Sequence, residues 1–336
     1  MFERILLTGG TGSLGQALTT FLLANTDATL CIYSRDEYRQ YLMRQKYGEG
    51  RLRYFIGDVR DLPRMTLALH GVDLCIHTAA LKFVDAGEYN PTEVIATNVT
   101  GTQNVITACM INGVTRALFI SSDKAVYSIQ TYGHSKAIGE KLWTRANGYM
   151  PHGTSFSSVR WGNVTGSRGS VLNLWRQQLA AGVRPSLTSD TMSRFWLTLP
   201  EAVSHVWWAA QHAERGSILV PHLPAYNVLD LLRAVTDQPP AVIGVRPGEK
   251  LAECLATDAE LASASLVRQV PTGVPLYYQI PPVNPSWEAA VPWPIHDTYM
   301  VQSHTPMTYI SDTWPWRLGV PELKALLEKE EADAIR

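Results

Sequence analysis

Five side chains that can exchange protons lie within fifteen positions of one another, at Ser122, Asp123, Lys124, Tyr132 and Lys136. They supply a hydroxyl, a carboxylate, two amines and a phenol, which are groups that act as general acids and bases. Tyr132 and Lys136 are four residues apart, so a helix would present them on one face. The apolar run before them, residues 116–121, predicts a buried strand whose carboxyl end carries Ser122. Because open α/β sheets bind ligands at that edge, we predict a proton-transfer site there.

The amino-terminal residues predict what this site works with. A short apolar strand, residues 5–7, leads into a Gly-rich turn, and residues 14–24 have helical periodicity. Glycines in such a turn let the backbone approach a pyrophosphate, whose charge then lies against the helix amino terminus. Since the strand and the helix are both present, we favour a dinucleotide site over an ordinary Gly-rich turn. The predicted cofactor contacts in the turn are Gly9, Thr11, Gly12, Ser13, Leu14 and Gly15.

The end of the second predicted strand, residues 28–33, indicates which dinucleotide binds. A carboxylate there would bind the ribose 2′-hydroxyl of NAD, whereas this chain has Ser34 and Arg35, with Arg39 a turn later. Arginine forks match phosphate oxygens, so the sequence predicts NADP. Two alternatives stay open, because Asp36 can turn toward the ribose and both arginines can belong to a solvated helix start.

Later elements complete the predicted cofactor site. Residues 54–59 and 73–77 are predicted as the third and fourth strands, and residues 79–82 follow the fourth. Asp58 would then be available to the adenine amine. The predicted contacts along these elements are Asp58, Val59, Ala79, Ala80, Lys82, Asn98, Tyr132 and Lys136.

Strands and helices alternate to about residue 164, which predicts an α/β fold with a doubly wound parallel (Rossmann) sheet. The chain has 336 residues, 46% of them hydrophobic, and so has room for a smaller C-terminal substrate lobe. Prolines are frequent after residue 221, so we expect this lobe to be irregular, with the ligand in the cleft beside it. We assign residues 1–165 and 198–220 to the NADP-binding domain, and residues 166–197 and 221–336 to the lobe.

Composition and charge exclude several classes of function. The net charge of −1 gives no nucleic-acid signal. The four cysteines are scattered without paired metal-ligand spacing, so we expect no metal and reduced thiols in the cytoplasm. No apolar run approaches ~18 residues, and Met1 leads directly into the first strand. We therefore expect neither a membrane span nor a signal peptide.

Eight segments carry a family resemblance: residues 8–15, 33–37, 57–61, 77–82, 121–136, 159–171, 194–196 and 246–250. Together they resemble the extended short-chain dehydrogenase/reductases. Within these, the chain is most similar to the inverting UDP-N-acetylglucosamine 4,6-dehydratases that begin pseudaminic acid biosynthesis. The resemblance runs from residue 3 to about residue 255. It implies a tightly bound, recycled NADP and UDP-N-acetylglucosamine, or a close UDP-sugar, as substrate.

The departures from the family pattern concern the same site. Residues 82–85 read Lys-Phe-Val-Asp where relatives commonly read Lys-His-Val-Pro, and Ser122 stands where they have threonine. The lost imidazole and the added Asp85 can change substrate preference or weaken activity. Relatives that retain configuration often carry Met at the position of Tyr132, so Tyr132 points to the inverting group. Residues 124–127, in contrast, resemble the fucosamine branch.

The resemblance implies a dehydration without net redox change. Oxidation of the sugar 4-hydroxyl makes the carbon 5 proton acidic, and Tyr132 takes the hydroxyl proton while Ser122 hydrogen-bonds the oxygen. Lys136 would hold the nicotinamide ribose and, with the nicotinamide, lower the phenol pKa from about 10. Lys124 then removes the carbon 5 proton and Asp123 protonates the leaving 6-hydroxyl. We expect burial to move both of their pKa values toward neutrality. The product is a UDP-4-keto-6-deoxy-L-hexosamine.

Anion recognition would complete the predicted site. Arginine forks match diphosphate oxygens, and an asparagine after the sixth strand can reach the sugar or its phosphate. A glutamate in the 246–250 segment can bind the uridine ribose or stabilise a turn with Lys250. The predicted substrate contacts are Lys82, Asn163, Arg168, Arg194, Arg246 and Glu249.

Other functions stay open. A UDP-sugar 4-epimerase or reductase of the same fold is the nearer alternative, and a non-catalytic nucleotide-binding protein is the more distant one. Asp123 and Lys124 can also form a structural ion pair at the strand edge. An epimerase needs no adjacent acid and base, so this doublet favours dehydration. Relatives pair helices equivalent to residues 92–112 and 134–147, and we therefore expect a homo-oligomer, at least a dimer.

Overall fold

Alternate residues of the first strand pack on opposite faces of the central sheet. Ile5 and Leu7 belong to one hydrophobic cluster and Leu6 to another, and all three side chains are fully buried. A strand covered by apolar residues on both faces belongs to the interior of a sheet with helices on each side. The computed structural model of the chain describes residues 2–150, 152–166, 170–269, 277–282, 298–302 and 308–335.

The strands of the described residues are short, and most of them join one sheet. They are β1 Arg4–Thr8, β2 Thr29–Ser34, β3 Leu52–Ile56, β4 Leu74–His77, β5 Arg116–Ile120, β6 Ser155–Val159, β7 Ser186–Leu187, β8 Ser193–Phe195, β9 Ile218–Pro221, β10 Ala225–Asn227, β11 Ala241–Val242, β12 Cys254–Ala256, β13 Ser265–Gln269, β14 Tyr277–Ile280, β15 Thr298–Gln302, β16 Tyr309–Ile310 and β17 Arg317–Leu318.

The helices lie between these strands. They are α1 Ser13–Asn25, α2 Glu37–Tyr47, α3 Leu62–Ala68, α4 Val84–Tyr89, α5 Pro91–Val94, a π-helix Ile95–Thr100, α6 Gly101–Asn112, a 3-10 turn Asp123–Ala125, α7 Thr131–Ala146, α8 Val171–Ala180, α9 Leu199–His212, α10 Val228–Val235, α11 Asp258–Ser263 and α12 Val320–Ile335. The single helix predicted for residues 92–112 is thus divided by a π-helical segment.

The described part of the main sheet has the order β15-β13-β14-β9-β6-β5-β4-β1-β2-β3. Neighbours from β9 to β3 pair in parallel. Leu18 of α1 and Val206 of α9 cover one face, and Val105 of α6 and Trp143 of α7 cover the other. The predicted α/β fold with a doubly wound parallel sheet is therefore confirmed, and the carboxyl ends of β1, β4, β5 and β6 meet at one edge.

The C-terminal region is more regular than its prolines suggest. Strands β14, β13 and β15 extend the main sheet by antiparallel pairing to β9. A three-stranded sheet of β17, β10 and β8 packs with α8, α10 and α12 around a separate cluster that includes Trp175, Leu231 and Leu323. The expectation of an irregular region is wrong for strands β13–β15. The division into a domain and a lobe at the stated boundaries stays a prediction.

Candidate active site

The triplet of Ser122, Asp123 and Lys124 lies directly after β5, and residues that follow β6 hold its backbone. The Asp123 N–H donates to the Trp161 carbonyl at 2.9 Å. Ser122 caps the 3-10 turn, because its Oγ accepts the Lys124 N–H at 3.3 Å. The backbone thus turns sharply at the sheet edge and presents all three side chains at the carboxyl ends of the parallel strands.

Asp123 and Lys124 form a buried ion pair that includes the Ser122 hydroxyl. Ser122 Oγ donates to Asp123 Oδ1 at 2.8 Å, and Lys124 Nζ donates to the same oxygen at 3.1 Å. Asp123 is 0% exposed, and its Oδ2 has no hydrogen-bond partner among the residues that the structure describes. A buried carboxyl oxygen without a partner makes the ionised form of Asp123 more costly and so acts to raise its pKa.

Two further groups hold the Lys124 side chain. Its Nζ donates to Asn163 Oδ1 at 3.0 Å and lies 3.4 Å from Glu253 Oε1. Glu253 is 2% exposed and precedes β12. The other Glu253 oxygen, Oε2, lies 3.5 Å from Lys250 Nζ. Lys124 therefore has carboxylates on two sides.

These charges shift the protonation of the pair. Burial lowers the pKa of Lys124, but the carboxylates of Asp123 and Glu253 outweigh it and hold the pKa above its ordinary value. The prediction that burial moves the Lys124 pKa toward neutrality is therefore wrong, because the charges of Asp123 and Glu253 outweigh burial. The predicted direction for Asp123 is confirmed, since burial and Glu253 raise its pKa against the effects of Lys124 and Ser122.

Lys136 lies under the triplet on the first turns of α7. Its Nζ donates to the Ile120 carbonyl at 2.5 Å and lies 3.9 Å from the centre of the Phe119 ring. Burial lowers the pKa of Lys136 to about 7, although Glu140 acts in the opposite direction. An amine with that pKa can hold or release a proton near neutrality.

The pKa of Tyr132 differs in direction from the predicted one. Burial raises its pKa, while the Lys124 ammonium and a hydrogen bond with Ser122 lower it less. The cation that lowers the Tyr132 pKa is thus Lys124, whereas we expected Lys136 and the nicotinamide to have this effect.

Close packing brings α7 against the triplet. Gly133 makes this possible, because a Cβ there would lie 2.3 Å from the Lys124 carbonyl oxygen. The Asn98 side chain of the π-helix donates to Ser135 Oγ at 2.9 Å, and Ser135 Oγ donates to the Tyr132 carbonyl at 2.7 Å. Asn98 therefore positions the helix that carries Tyr132.

Asn98 also fixes the segment after β4. Its Oδ1 accepts the Leu81 N–H at 2.8 Å, and its Nδ2 donates to the Leu81 carbonyl at 2.9 Å. This segment carries Ala79 and Ala80, which are half-buried, and Lys82, whose Nζ lies 5.8 Å from the Phe83 ring centre. The structure places Asn98 as a positioning group for these residues.

The turn between β1 and α1 fits a dinucleotide pyrophosphate. Gly9 has a φ of +63°, and a Cβ there would lie 2.9 Å from the Ala79 backbone. Gly12 is the N-cap of α1, and no described side chain caps that helix end. The first N–H groups of α1 are therefore available to an anion. Thr11, Ser13, Leu14 and Gly15 lie in the same turn and first helical turn.

The end of β2 presents two arginines beside the predicted ribose site. Arg35 Nη1 lies 3.6 Å from Asp58 Oδ2, and about half of the Arg35 side chain is exposed. Asp36 caps α2 by accepting the Arg39 N–H at 2.9 Å, and its other oxygen lies 3.1 Å from Arg39 Nε. Ser34 is buried next to them. Asp36 is thus occupied as a helix cap rather than turned toward the ribose.

Asp58 is more strongly paired than the sequence predicts. Its carboxylate accepts from the Arg60 side chain at 2.6 and 2.9 Å and from the Arg60 N–H at 3.0 Å. Burial acts to raise the Asp58 pKa, but these contacts lower it overall. Asp58 is followed by Val59, which is buried. An adenine amine would therefore share Asp58 with Arg60.

The predicted substrate contacts lie on separate elements. Arg194 is buried on β8, and its Nη1 donates to the Ser193 carbonyl at 2.6 Å. Arg246 pairs with Glu249 and lies 3.7 Å from Asp85 Oδ2. Glu249 therefore stabilises its turn through Arg246 rather than through Lys250. Arg168 lies outside the described residues.

Comparison with known proteins now identifies the family. Residues 5–272 match the family model described as polysaccharide biosynthesis protein. The chain belongs to this family. The UDP-N-acetylglucosamine 4,6-dehydratase (inverting) of Campylobacter jejuni subsp. jejuni serotype O:23/36 is 42% identical over 257 residues, which are 75% of this chain and 77% of that relative. The resemblance to the extended short-chain dehydrogenase/reductases is thereby confirmed.

Two other known proteins are similar to this chain over most of its length. The UDP-glucose 4-epimerase of Rickettsia massiliae is 39% identical over 289 residues, which cover 83% of each chain. The solved structure of Pen from Bacillus thuringiensis is 31% identical, has a TM-score of 0.84, and covers 97% of this chain and 98% of that chain. Both curated relatives are enzymes named for reactions of UDP-sugars.

Glu253 and Lys250 are the site residues that sequence reasoning missed in this polysaccharide biosynthesis protein. Lys250 was assigned only to a turn, yet its Nζ donates to the Val126 carbonyl at 2.6 Å and pairs with Glu253. The signal available was the 246–250 motif, since Glu253 follows it by three residues. A charged residue within a few positions of a predicted substrate motif is a candidate for the same site.

The described residues contain no group of His, Cys, Asp or Glu side chains that is arranged to hold a metal ion. Within the same residues, no helix combines the length and the apolar surface that crossing a bilayer requires.

Proposed function

We propose that this chain is a nucleotide-sugar 4,6-dehydratase that acts on UDP-N-acetylglucosamine and inverts carbon 5. The observation that supports it most is the buried pair of Asp123 and Lys124, joined at 3.1 Å beside Ser122 and Tyr132. Such a pair provides an acid and a base at one substrate, which elimination of water requires. The relative from Campylobacter jejuni carries this activity in its name.

In the first step, Tyr132 takes the proton of the sugar 4-hydroxyl while Ser122 holds the oxygen. The chemistry that bound NADP would supply is hydride transfer, from carbon 4 in this step and back to carbon 6 later. Lys136 would hold the nicotinamide ribose. The pKa of Tyr132 is raised by burial, so the phenol must first release its proton to solvent, and the positive charge of Lys124 stabilises the phenolate that then takes the 4-hydroxyl proton.

In the second step, Asp123 protonates the leaving 6-hydroxyl and Lys124 removes the carbon 5 proton. The raised pKa of Asp123 suits an acid. Lys124 is an ammonium at rest, because Asp123 and Glu253 raise its pKa. The reactive form, with Asp123 protonated and Lys124 neutral, is therefore a minor population. The hydride then returns to carbon 6, and carbon 5 takes a solvent-derived proton on the face opposite Lys124, which gives the L-configured 4-keto-6-deoxy sugar.

We assign NADP rather than NAD on the strength of Arg35 and Arg39. The exposed Arg35 fork suits a 2′-phosphate, and Asp36 is engaged as the cap of α2. The remaining contacts come from the Gly-rich turn and the segment after β4, including Ala79, Ala80 and Lys82. For the UDP-sugar, we assign Lys82, Asn163, Arg168, Arg194, Arg246 and Glu249.

The cysteines and two helices carry the proposals on compartment and association state. All four cysteines are buried free thiols, which supports a reducing compartment and so the cytoplasm. The predicted pairing of residues 92–112 and 134–147 supports a homo-oligomer, at least a dimer. Ile111 and Ile138 are 63% and 47% exposed on these helices and supply apolar surface for it.

The test is incubation of the purified chain with UDP-N-acetylglucosamine, followed by mass and proton spectra of the sugar. We expect loss of one water and a 6-deoxy sugar. A sugar of unchanged mass with a new configuration at carbon 4 would instead show the 4-epimerase, the function that the Rickettsia relative favours. Bound nucleotide without any change in the sugar would show a binding protein.

A further inference from the structure

A buried carboxylate lies against the Lys124 amino group from a distant part of the chain. Glu253 Oε1 lies 3.4 Å from Lys124 Nζ, and Glu253 is 2% exposed. The two residues are 129 positions apart (253 − 124), so only folding brings them together. Removing a carboxylate from water is costly unless a cation pairs with it. The position of Glu253 is therefore coupled to the charge on Lys124.

Hydrogen bonds hold the backbone of Glu253, and a second lysine faces its carboxylate. Its backbone N–H donates to Ser311 Oγ at 3.0 Å, and its carbonyl accepts the Ser311 N–H at 2.9 Å. Lys250 Nζ lies 3.5 Å from Glu253 Oε2 and donates to the Val126 carbonyl, two residues after Lys124. The segment before β12 is thus held across the loop that follows the 3-10 turn.

Resting on the function proposed above, we infer that Glu253 is a positioning residue for Lys124. It holds the amino group beside Asp123 and Asn163, and it sets the pH range in which the Asp123–Lys124 pair has the proton arrangement that dehydration needs. It acts through Lys124 and is not itself a catalytic residue.

The charges that face the pair decide the sign of its effect. Lys124 is faced by Asp123 on the 3-10 turn, Glu253 before β12, Arg194 of β8 and Tyr132 of α7. Glu253 raises the pKa of Asp123 as well as that of Lys124. The population with Asp123 protonated and Lys124 neutral is constant between these two pKa values and declines outside them. The acid limit of the active pH range is therefore set by the Asp123 pKa, and the alkaline limit by the Lys124 pKa. Loss of the Glu253 charge moves both limits to lower pH.

The test is the pH dependence of UDP-N-acetylglucosamine dehydration by Glu253→Gln, which keeps the shape of the side chain. We expect the acid limit to fall by roughly 1 pH unit or more, and the alkaline limit to fall as well. Glu253→Asp retains the charge and should restore most of the original profile. Unmoved limits in a folded Glu253→Gln protein would overturn the inference.

Glu260→Gln is the matched control. Glu260 belongs to the same C-terminal region, but its carboxylate contacts Arg160 at 2.9 and 3.1 Å rather than Lys124. Its removal should leave both limits in place. Should Glu253→Gln fail to fold, Lys250→Met replaces it: with less neutralisation of Glu253, the acid limit should rise, and an unmoved limit would again overturn the inference.

A second measurement separates this inference from the proposed function. In the protein with isotope-labelled lysine side chains, NMR follows the titration of Lys124, whose signal is assigned by its loss in Lys124→Met. We expect Lys124 to begin losing its proton at lower pH in Glu253→Gln. If it does so in a chain that does not dehydrate the sugar, the proposed function fails and the role of Glu253 stands. Dehydration with an unmoved titration would overturn the role of Glu253 alone.

Discussion

Lys124 carries a positive charge in the resting protein because Asp123 and Glu253 both face it. An amine must be neutral to take a carbon-bound proton, so dehydration depends on a minority of molecules. That minority shrinks about tenfold for each unit that separates the Lys124 pKa from the Asp123 pKa. The electrostatics that hold Lys124 in place thus also limit its reactivity.

Arg35 is expected to select NADP. Arg35→Ala removes a charge-assisted contact with the 2′-phosphate worth about 1.5 to 3 kcal/mol, so the ratio of NADP to NAD affinity should fall roughly 10- to 150-fold. Calorimetric titration with both nucleotides measures this ratio. Arg44→Ala, on α2, is the control, because Arg44 pairs with Glu49 at 3.4 Å rather than facing Asp58. Equal affinity of the unmutated protein for both nucleotides would contradict the assignment.

The sequence predicts which residues share a site when those residues are close together along the chain, and fails when they are far apart. Asp123, Lys124 and Tyr132 are predictable because they follow one strand and open one helix, whose geometry is regular. Glu253 is not, because its contact with Lys124 depends on the path of residues 246–253 across the site. The direction of the Lys124 pKa shift was predicted wrongly because the carboxylates of Asp123 and Glu253 together outweigh burial.

The 3-10 turn and α7 work as one unit at the next scale. The helix approaches the turn so closely that the Gly133 position has no room for a side chain, and a Cβ there would lie 2.3 Å from the Lys124 carbonyl oxygen. The relative positions of Lys124 and Tyr132 therefore depend on backbone packing as well as on side-chain contacts.

Gly133→Ala should accordingly impair both stability and activity. Overpacking against the Lys124 backbone costs about 1 to 3 kcal/mol, which lowers Tm by roughly 2 to 10 °C in a chain of this size. Displacement of Tyr132 should lower kcat about 100-fold or more. Calorimetry and steady-state rates test this. Lys141→Ala, at an exposed position of α7, is the control and should change kcat little. A Gly133→Ala protein with unchanged Tm and kcat would refute the argument.

Elements with strong local patterns were the predictable ones. Strands β1, β4 and β5 are buried on both faces, so their runs of consecutive apolar residues predicted them. Strands β13 and β14 were expected to be irregular because prolines surround them in sequence. Their pairing at the antiparallel side of β9 depends on tertiary contacts that the sequence pattern does not contain.

At the scale of the whole molecule, a buried ion triad joins three elements. Arg160, directly after β6, donates to Glu140 of α7 at 2.7 and 2.9 Å and to Glu260 of α11 at 2.9 and 3.1 Å. Arg160 is 2% exposed. Breaking such a group is costly because it leaves an uncompensated buried charge.

The stabilisation by Glu260 should depend on pH. Burial acts to raise its pKa, but Arg160 and the α11 cap lower it overall. A carboxylate with a depressed folded pKa stabilises the protein above its unfolded pKa, and this stabilisation is lost as pH falls through the folded value. Glu260→Gln should therefore lower Tm by roughly 2 to 8 °C near pH 7, and the difference should shrink below about pH 4. A Tm difference independent of pH would contradict this; Glu37→Gln, at an exposed site, is the control.

The association state is a further expectation at this scale. The chain has a mass of 37.3 kDa, and a dimer through α6 and α7 should sediment at twice that mass. Ile111→Glu places a charge on the exposed apolar surface and should weaken the dimer. Leu67→Glu, at an exposed position on α3, should not. A species of 37.3 kDa alone at micromolar concentration would rule out the dimer.

The central claim is that the Asp123–Lys124 pair carries out elimination, and deuterium content at carbon 5 tests it most directly. The unmutated protein, given UDP-N-acetylglucosamine in heavy water, should yield a dehydrated L-configured product with deuterium at carbon 5. Lys124→Met should still bind nucleotide and sugar, yet it should neither release water nor exchange carbon 5. Dehydration by Lys124→Met at an undiminished rate would contradict the account and leave Asp123 as the candidate base.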